Sequence, residues 1–115
     1  MAYDLGLAQL LRDDLVDEPV TEKKMFGGLA FLRHGHMVCG IHKGGAMFRV
    51  GKQCYAEALK INGVTPMMMG EKPMAAMVDI SDEACQDEIL RGRVMGLALA
   101  TVRGLPAKVA KPRKG

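Results

Sequence analysis

Within nine positions the chain places His34, His36, Cys39 and His42, four side chains of the kind that hold zinc. Zinc needs three or four such ligands converging within about 2.3 Å of one point. The surrounding pattern argues against convergence. Met37, Cys39 and Ile41 alternate with Val38, Gly40 and His42, which is the period of a β-strand, and a strand sends Cys39 and His42 to opposite faces. His34 and His36 flank Gly35, a turn position open to water. No metal is expected.

Cys39, Cys54 and Cys85 could in principle offer a nucleophile or a redox pair. Either role needs a thiolate, hence a base or positive field beside it. The nearest base to Cys39 is His42, which faces away, and no Cys-x-x-Cys occurs. Cys39 and Cys54 sit in apolar patterns, as small buried hydrophobes do. Of the paired acids, Asp13-Asp14 lies on a solvated helix face and Asp82-Glu83 in the first turn of a helix. General acid and base work needs carboxylates facing one cleft, and neither pair does. Gly27-Gly28 and Gly44-Gly45 lack the spacing of phosphate loops, which open a helix after a strand. The expectation is a protein that is not an enzyme and carries no cofactor.

The elements that position these residues read clearly. Leu5, Ala8, Leu11 and Leu15 recur at helical spacing, and this helix ends before Pro19. Val20 to Lys24 reads as a polar connector. Lys24 to Val50 then gives three apolar runs separated by two Gly-containing turns, a three-stranded antiparallel meander. In Met25 to Leu32 both faces are apolar, so this strand should be covered on both sides. Gly27-Gly28 within it predicts a bulge or a close approach by another backbone or side chain. In the third strand Met47 and Arg49 alternate with Phe48 and Val50.

Lys52 to Lys60 predicts a short helix stopped by Asn62-Gly63. Met67–Met69 and Met74–Ile80 form a second hairpin around Gly70 to Pro73, with Met77 and Asp79 opposite Val78 and Ile80. Ser81 caps a last helix running to about Val102. Its second half has two apolar stripes. Leu90, Val94, Leu97, Ala98 and Thr101 make one; Ile89, Met95 and Leu99 make the other, a possible interface. Gly92 and Gly96 would let another backbone come close. The order α-β-β-β-α-β-β-α predicts an α+β fold, an antiparallel sheet with helices on one face.

A chain of 115 residues with ten Met and no Trp fits one domain with a core of unusual content, in which Met67, Met68, Met69, Met74 and Met77 either fill the core or form an adaptable binding surface. That domain spans 1–106, and 107–115 is a basic mobile tail. Three cysteines, an odd count, with no secretory leader and no bilayer-long apolar run, predict free thiols and a cytoplasmic, non-membrane setting. The net charge of +3 is unevenly spread. Arg103, Lys108, Lys111, Arg113 and Lys114 carry the basic charge of the C-terminus, and residues before them are mildly acidic. These five could contact nucleic-acid phosphates weakly and in a salt-sensitive way. No aromatic accompanies them to stack on bases.

Lys24-Met25-Phe26-Gly27-Gly28, the Gly35 hairpin, Phe48-Arg49-Val50-Gly51, Pro66-Met67, Gly70-x-x-Pro73-Met74 and Leu105-Pro106-x-Lys108 occur in order. Together they resemble the N-terminal domain of the TfoX/Sxy family, over roughly Leu7 to Lys108. The resemblance implies a secretion-chaperone-like α+β architecture and a role similar to that of competence regulators acting in transcription. It lends no catalytic residue. The chain reads as that domain alone, without the C-terminal helical domain of longer members. Trp residues found in relatives are replaced here by the Met77-Val78 and Arg93-Val94 regions.

Two functions follow as expectations. The first is a small interaction module that binds a protein partner or itself as a homodimer, through the exposed side of the sheet or the Ile89 stripe. The alternative is a weak nucleic-acid-binding accessory protein that works through its basic tail.

Overall fold

The computed structural model describes residues 4–25 and 28–105, without the side chains of Met25, Met69 and Ala75. In chain order the elements are α1 (Leu5–Asp14), β1 (Val20–Met25), β2 (Gly28–Arg33), β3 (His36–His42), β4 (Gly45–Arg49), α2 (Gly51–Leu59), β5 (Val64–Met69), β6 (Lys72–Ser81), α3 (Asp82–Cys85) and α4 (Glu88–Arg103). The six strands form one antiparallel sheet ordered β1-β2-β3-β4-β6-β5. The fold is α+β, as expected from the sequence.

The hydrophobic core lies between one face of this sheet and the helices. Leu29, Phe31, Cys39, Ile41, Ala46, Phe48, Val78 and Ile80 project from the sheet into it. Leu7, Ala8, Leu11 and Leu15 meet them from α1, Ala58 from α2, and Leu90, Val94, Met95, Ala98, Leu99 and Val102 from α4. The α1 stripe is turned slightly from its predicted position: Leu7 is buried, and Leu5 is 57% exposed beside the capping Asp4.

Three elements differ from the sequence reading. Val20–Met25 is a strand rather than a connector; its register with β2 runs from Val20–Arg33 to Met25–Gly28. The predicted single helix from Ser81 is two. Ser81 caps α3, and Asp87 accepts hydrogen bonds from the Ile89 and Leu90 amides (3.0 and 3.2 Å) and starts α4 afresh. An Asp side chain that binds the backbone two and three residues on competes with a continuous helix. Finally, β2 and β3 shift register between Phe31 and Leu32, leaving Val38 as the extra residue of a bulge. Gly28 makes the predicted close approach, since a Cβ there would fall 1.9 Å from the Ile41 carbonyl oxygen.

Polar contacts tie the helical layer together. The Arg91 guanidinium, 5% exposed, donates to both carboxylate oxygens of Asp14 (2.6 and 3.3 Å) and to the Cys85 carbonyl (2.8 Å). Glu18, in the turn after α1, accepts from Arg33 on β2 (3.0 Å) and from Arg103 at the end of α4. On the surface Arg12 holds Glu22 at 2.5 Å.

Arg91→Ala would strand Asp14 and the Cys85 carbonyl, so a loss of about 3 kcal/mol in urea unfolding is expected. Arg12→Ala breaks an exposed pair and should cost under about 1 kcal/mol. A second expectation concerns acid. The hydrogen bond from Arg103, then that from Arg33, holds the Glu18 carboxyl below its usual range. A depressed carboxyl stabilises the fold above its unfolded pKa and loses that contribution as pH falls through the folded value. The urea midpoint of Glu18→Gln should therefore be lower than wild type at neutral pH, and the two should converge below about pH 4.

Candidate functional site

No described helix packs on the second face of the sheet. Register places Ala30, Gly40, Met47 and Asp79 in one row across β2, β3, β4 and β6, with Lys23 on β1 and Thr65 on β5 at its ends. A neighbouring row holds Arg49 and Met77. Ala30 and Met77 are both buried, yet neither belongs to the core packed by the helices.

Methionine covers the middle of the row. The methyl groups of Met37 and Met47 lie over Gly40, 2.8 and 3.1 Å from where a Cβ would stand. Any side chain at position 40 would displace them. Alternation along the strand groups Met37 with Cys39 and Ile41 on one face. The bulge at Val38 reverses the direction of Met37 and pairs it with Leu32 on the open face. Nothing local in the run Met37 to Ile41 marks that reversal, because a bulge inside an apolar stretch erases the alternation that would report it.

Of the two roles expected for the Met-rich hairpin, core filling does not hold for its described side chains. Met95 is the one methionine of the described residues in the core. Met77 is buried on the open face. Met67 and Met74 are half-buried, and Met68 is 46% exposed, all on the β5–β6 hairpin. Branched and aromatic side chains fill the interior, and the flexible thioethers collect outside it.

His42 and Asp79 also lie on the open face, Nε2 to Oδ1 2.6 Å. His42 Nδ1 accepts from the Gly44 amide at 3.0 Å. A nitrogen accepting from an amide carries no proton, so Nε2–H donates to Asp79. No nucleophilic side chain is bonded to the pair. Cys39 points into the core on the other side of the strand, as read from the alternation. Among the described residues no three His, Cys, Asp or Glu side chains are placed to hold a metal. Burial pushes the Cys39 thiol far up, and the Cys85 thiol to about 11. Neither is a thiolate at neutral pH.

A shallow groove of about 370 Å³ lies between Gly51, Lys52 and Gln53 at the start of α2 and Ala100, Thr101, Gly104 and Leu105 at the end of α4. Thr101 donates to the Val50 carbonyl at 2.6 Å, and Gly51, with φ of +84°, leaves its side-chain space to Thr101. Lys52 is the one titratable residue lining the groove, so no acid–base pair forms there.

The second stripe of the last helix does not survive as a surface. Met95 (4% exposed) and Leu99 (9%) are core residues, and only Ile89 (77%) faces out. The helix is apolar on two sides because its own chain covers both: β3 and β4 pack along one, α2 and α3 along the other. Gly92 and Gly96 face open space. Of the motif residues, Lys24 and Met25 end β1 and Gly28 opens β2; Phe26 and Gly27 lie outside the described residues. Of the basic tail only Arg103 is described, and it is engaged with Glu18; Lys108, Lys111, Arg113 and Lys114 lie outside.

The order of elements, the β1–β2 hairpin at the Met-Phe-Gly-Gly motif and the glycine entry to α2 agree with a single family. The model of the TfoX N-terminal domain matches residues 10–101. The chain belongs to that family. No curated protein and no solved structure matches it. Within the TfoX-like framework, the matched region contains every strand and runs from inside α1 nearly to the end of α4. No helix among the described residues is long and apolar enough to cross a membrane.

The cysteine geometry predicts one fast thiol. Cys54 is half-buried, whereas Cys39 and Cys85 are sealed in the core. An aromatic disulfide reagent at mildly alkaline pH should titrate Cys54 first, with the other two following only at the rate of global unfolding. Three equally fast thiols would mean that the core opens readily around β3.

Proposed function

We propose that this TfoX-like chain is a small, non-enzymatic regulatory module that binds a protein partner through the open face of its sheet. The observation that carries the reading is the sorting of its side chains. The strands β2, β3, β4 and β6 carry apolar side chains toward both faces, but the described helices cover only one. An antiparallel sheet that faces water normally alternates apolar-in with polar-out. Here the centre of the outward face holds Leu32, Met37, Gly40, Met47 and Met77.

Methionine suits such a face. It is unbranched and polarisable, packs against surfaces of differing shape, and recurs at adaptable binding sites. A core asks for the opposite, fixed rotamers and one arrangement. A regulatory context, near transcription or competence, comes from the family and not from any residue of the face. The setting proposed is cytoplasmic, consistent with three free thiols. Nucleic-acid binding through the tail is the weaker reading, because the first of its cations is already held by Glu18.

A photo-crosslinking side chain placed at Met47 should capture protein adducts in the cell that makes this chain. The same group at Glu57, exposed on the helical layer, should not. Adducts from position 57 alone would overturn the reading. So would tight binding of a random DNA duplex that survives moderate salt and truncation after Val102.

A further inference from the structure

Two cations on the open face have no ion-pair partner among the described residues. Lys23 on β1 and Arg49 on β4 make no ion pair with any described residue. Asp79 is the one acidic side chain that the described strands turn toward this face, and His42 already engages it. The face is therefore apolar across β2 and β3, with one cation on the edge strand β1 and another on β4.

Resting on the docking role argued above, we propose that the occupant is an acidic amphipathic helix of a partner protein. Its apolar stripe lies over Met37, Gly40 and Met47, and its carboxylates meet Lys23 and Arg49. Three observations select this chemistry. Helices already cover the opposite face of the same sheet, and a second helical layer would complete the burial of residues apolar on both sides. Lys23 and Arg49 stand three strands apart, about 14 Å at the usual spacing. That brackets a helix about 10 Å across, with acids on both sides of its stripe. The third concerns the sheet edges. Pro66 interrupts the donor row of β5, and β1 carries Glu22, Lys23 and Lys24, so strand addition is disfavoured at both.

A second copy meeting this face with its own is a poorer occupant, since it would add two more cations and only Asp79, which His42 already engages. A nucleic acid would meet only two cations and no aromatic side chain to stack on.

The test uses the full chain, isotopically labelled for amide spectroscopy, and two synthetic amphipathic peptides of about 16 residues, enough for four turns. Both carry one Leu/Met stripe; glutamates flank it in one and lysines in the other. The acidic peptide should shift β2, β3 and β4 amides and bind at least about tenfold tighter at low salt, a preference that shrinks as salt rises. Arg49→Glu, or Lys23→Glu should the first variant fold poorly, should reverse the preference.

Equal binding of both peptides to this face would overturn the acidic partner and leave the docking role standing. Shifts confined to the helical layer, or none at all, would overturn both. Sedimentation as a dimer that Met47→Glu converts to a monomer would make a second copy the occupant and overturn the proposal. Displacement of the acidic peptide by a random duplex at moderate salt would do so in favour of nucleic acid.

Discussion

Arg91 sits where α1, α3 and α4 meet, with its charge almost wholly removed from water. A buried guanidinium is tolerated only when its donors are used and its charge is answered. Asp14 does both through a forked contact. The Cys85 carbonyl, at the end of α3, takes a further donor. That carbonyl is among those a helix leaves without a partner at its C-terminus, so one side chain satisfies two elements at once. The break in the helix at Asp87 is what permits this. An unbroken helix would have used the Cys85 carbonyl for its own ladder.

The same side of the sheet carries the remaining ties. Glu18 joins β2 to the end of α4, and Arg12 joins α1 to β1 through Glu22, which register turns toward the helices. Apolar packing alone would let a helical layer slide, since it is non-directional. The ion pairs fix where the layer ends, and their energy matters less than their geometry. All of them draw the helices to one face. The other face keeps apolar strand residues but gains no cover from the described helices. This asymmetry also explains the division of side chains. Leu, Ile, Val and Phe fill the face that must pack one way, and methionine collects on the face that no described helix covers.

Much of the fold was legible because it is local. Hairpin glycines, the Ser81 cap, the alternation that separates Cys39 from His42, and the Val78/Ile80 pattern depend only on near neighbours. The misreadings have physical causes. β1 reads Val-Thr-Glu-Lys-Lys-Met, polar on both sides, because an edge strand buries little and its charges serve to pair with α1 or stay solvated. Its pairing to β2 is what makes it a strand. The Val38 bulge inverts Met37 within an apolar run, where no polar residue marks the inversion. The Ile89, Met95 and Leu99 stripe resembled an interface because periodicity shows that a face is apolar, not what covers it. For Met95 and Leu99 the cover is the chain itself; for the sheet face, with the same apolar signal, it is not. Only the three-dimensional arrangement separates the two.

The His42–Asp79 pair has a consequence for charge that neither residue shows alone. The Gly44 amide fixes the imidazole so that Nε2–H points at Asp79. The bond runs from the end of β3 past β4 to β6 and braces the middle of the open face. It also occupies the single carboxylate there. With Asp79 engaged, the charges beside Met37 and Met47 are Lys23 and Arg49, both positive and neither in an ion pair with a described residue. A sheet face meant only to meet water would intersperse charges of both signs across its centre. This one keeps its centre apolar, ties up its acid, and leaves its cations on β1 and β4, the arrangement that a complementary acidic surface requires.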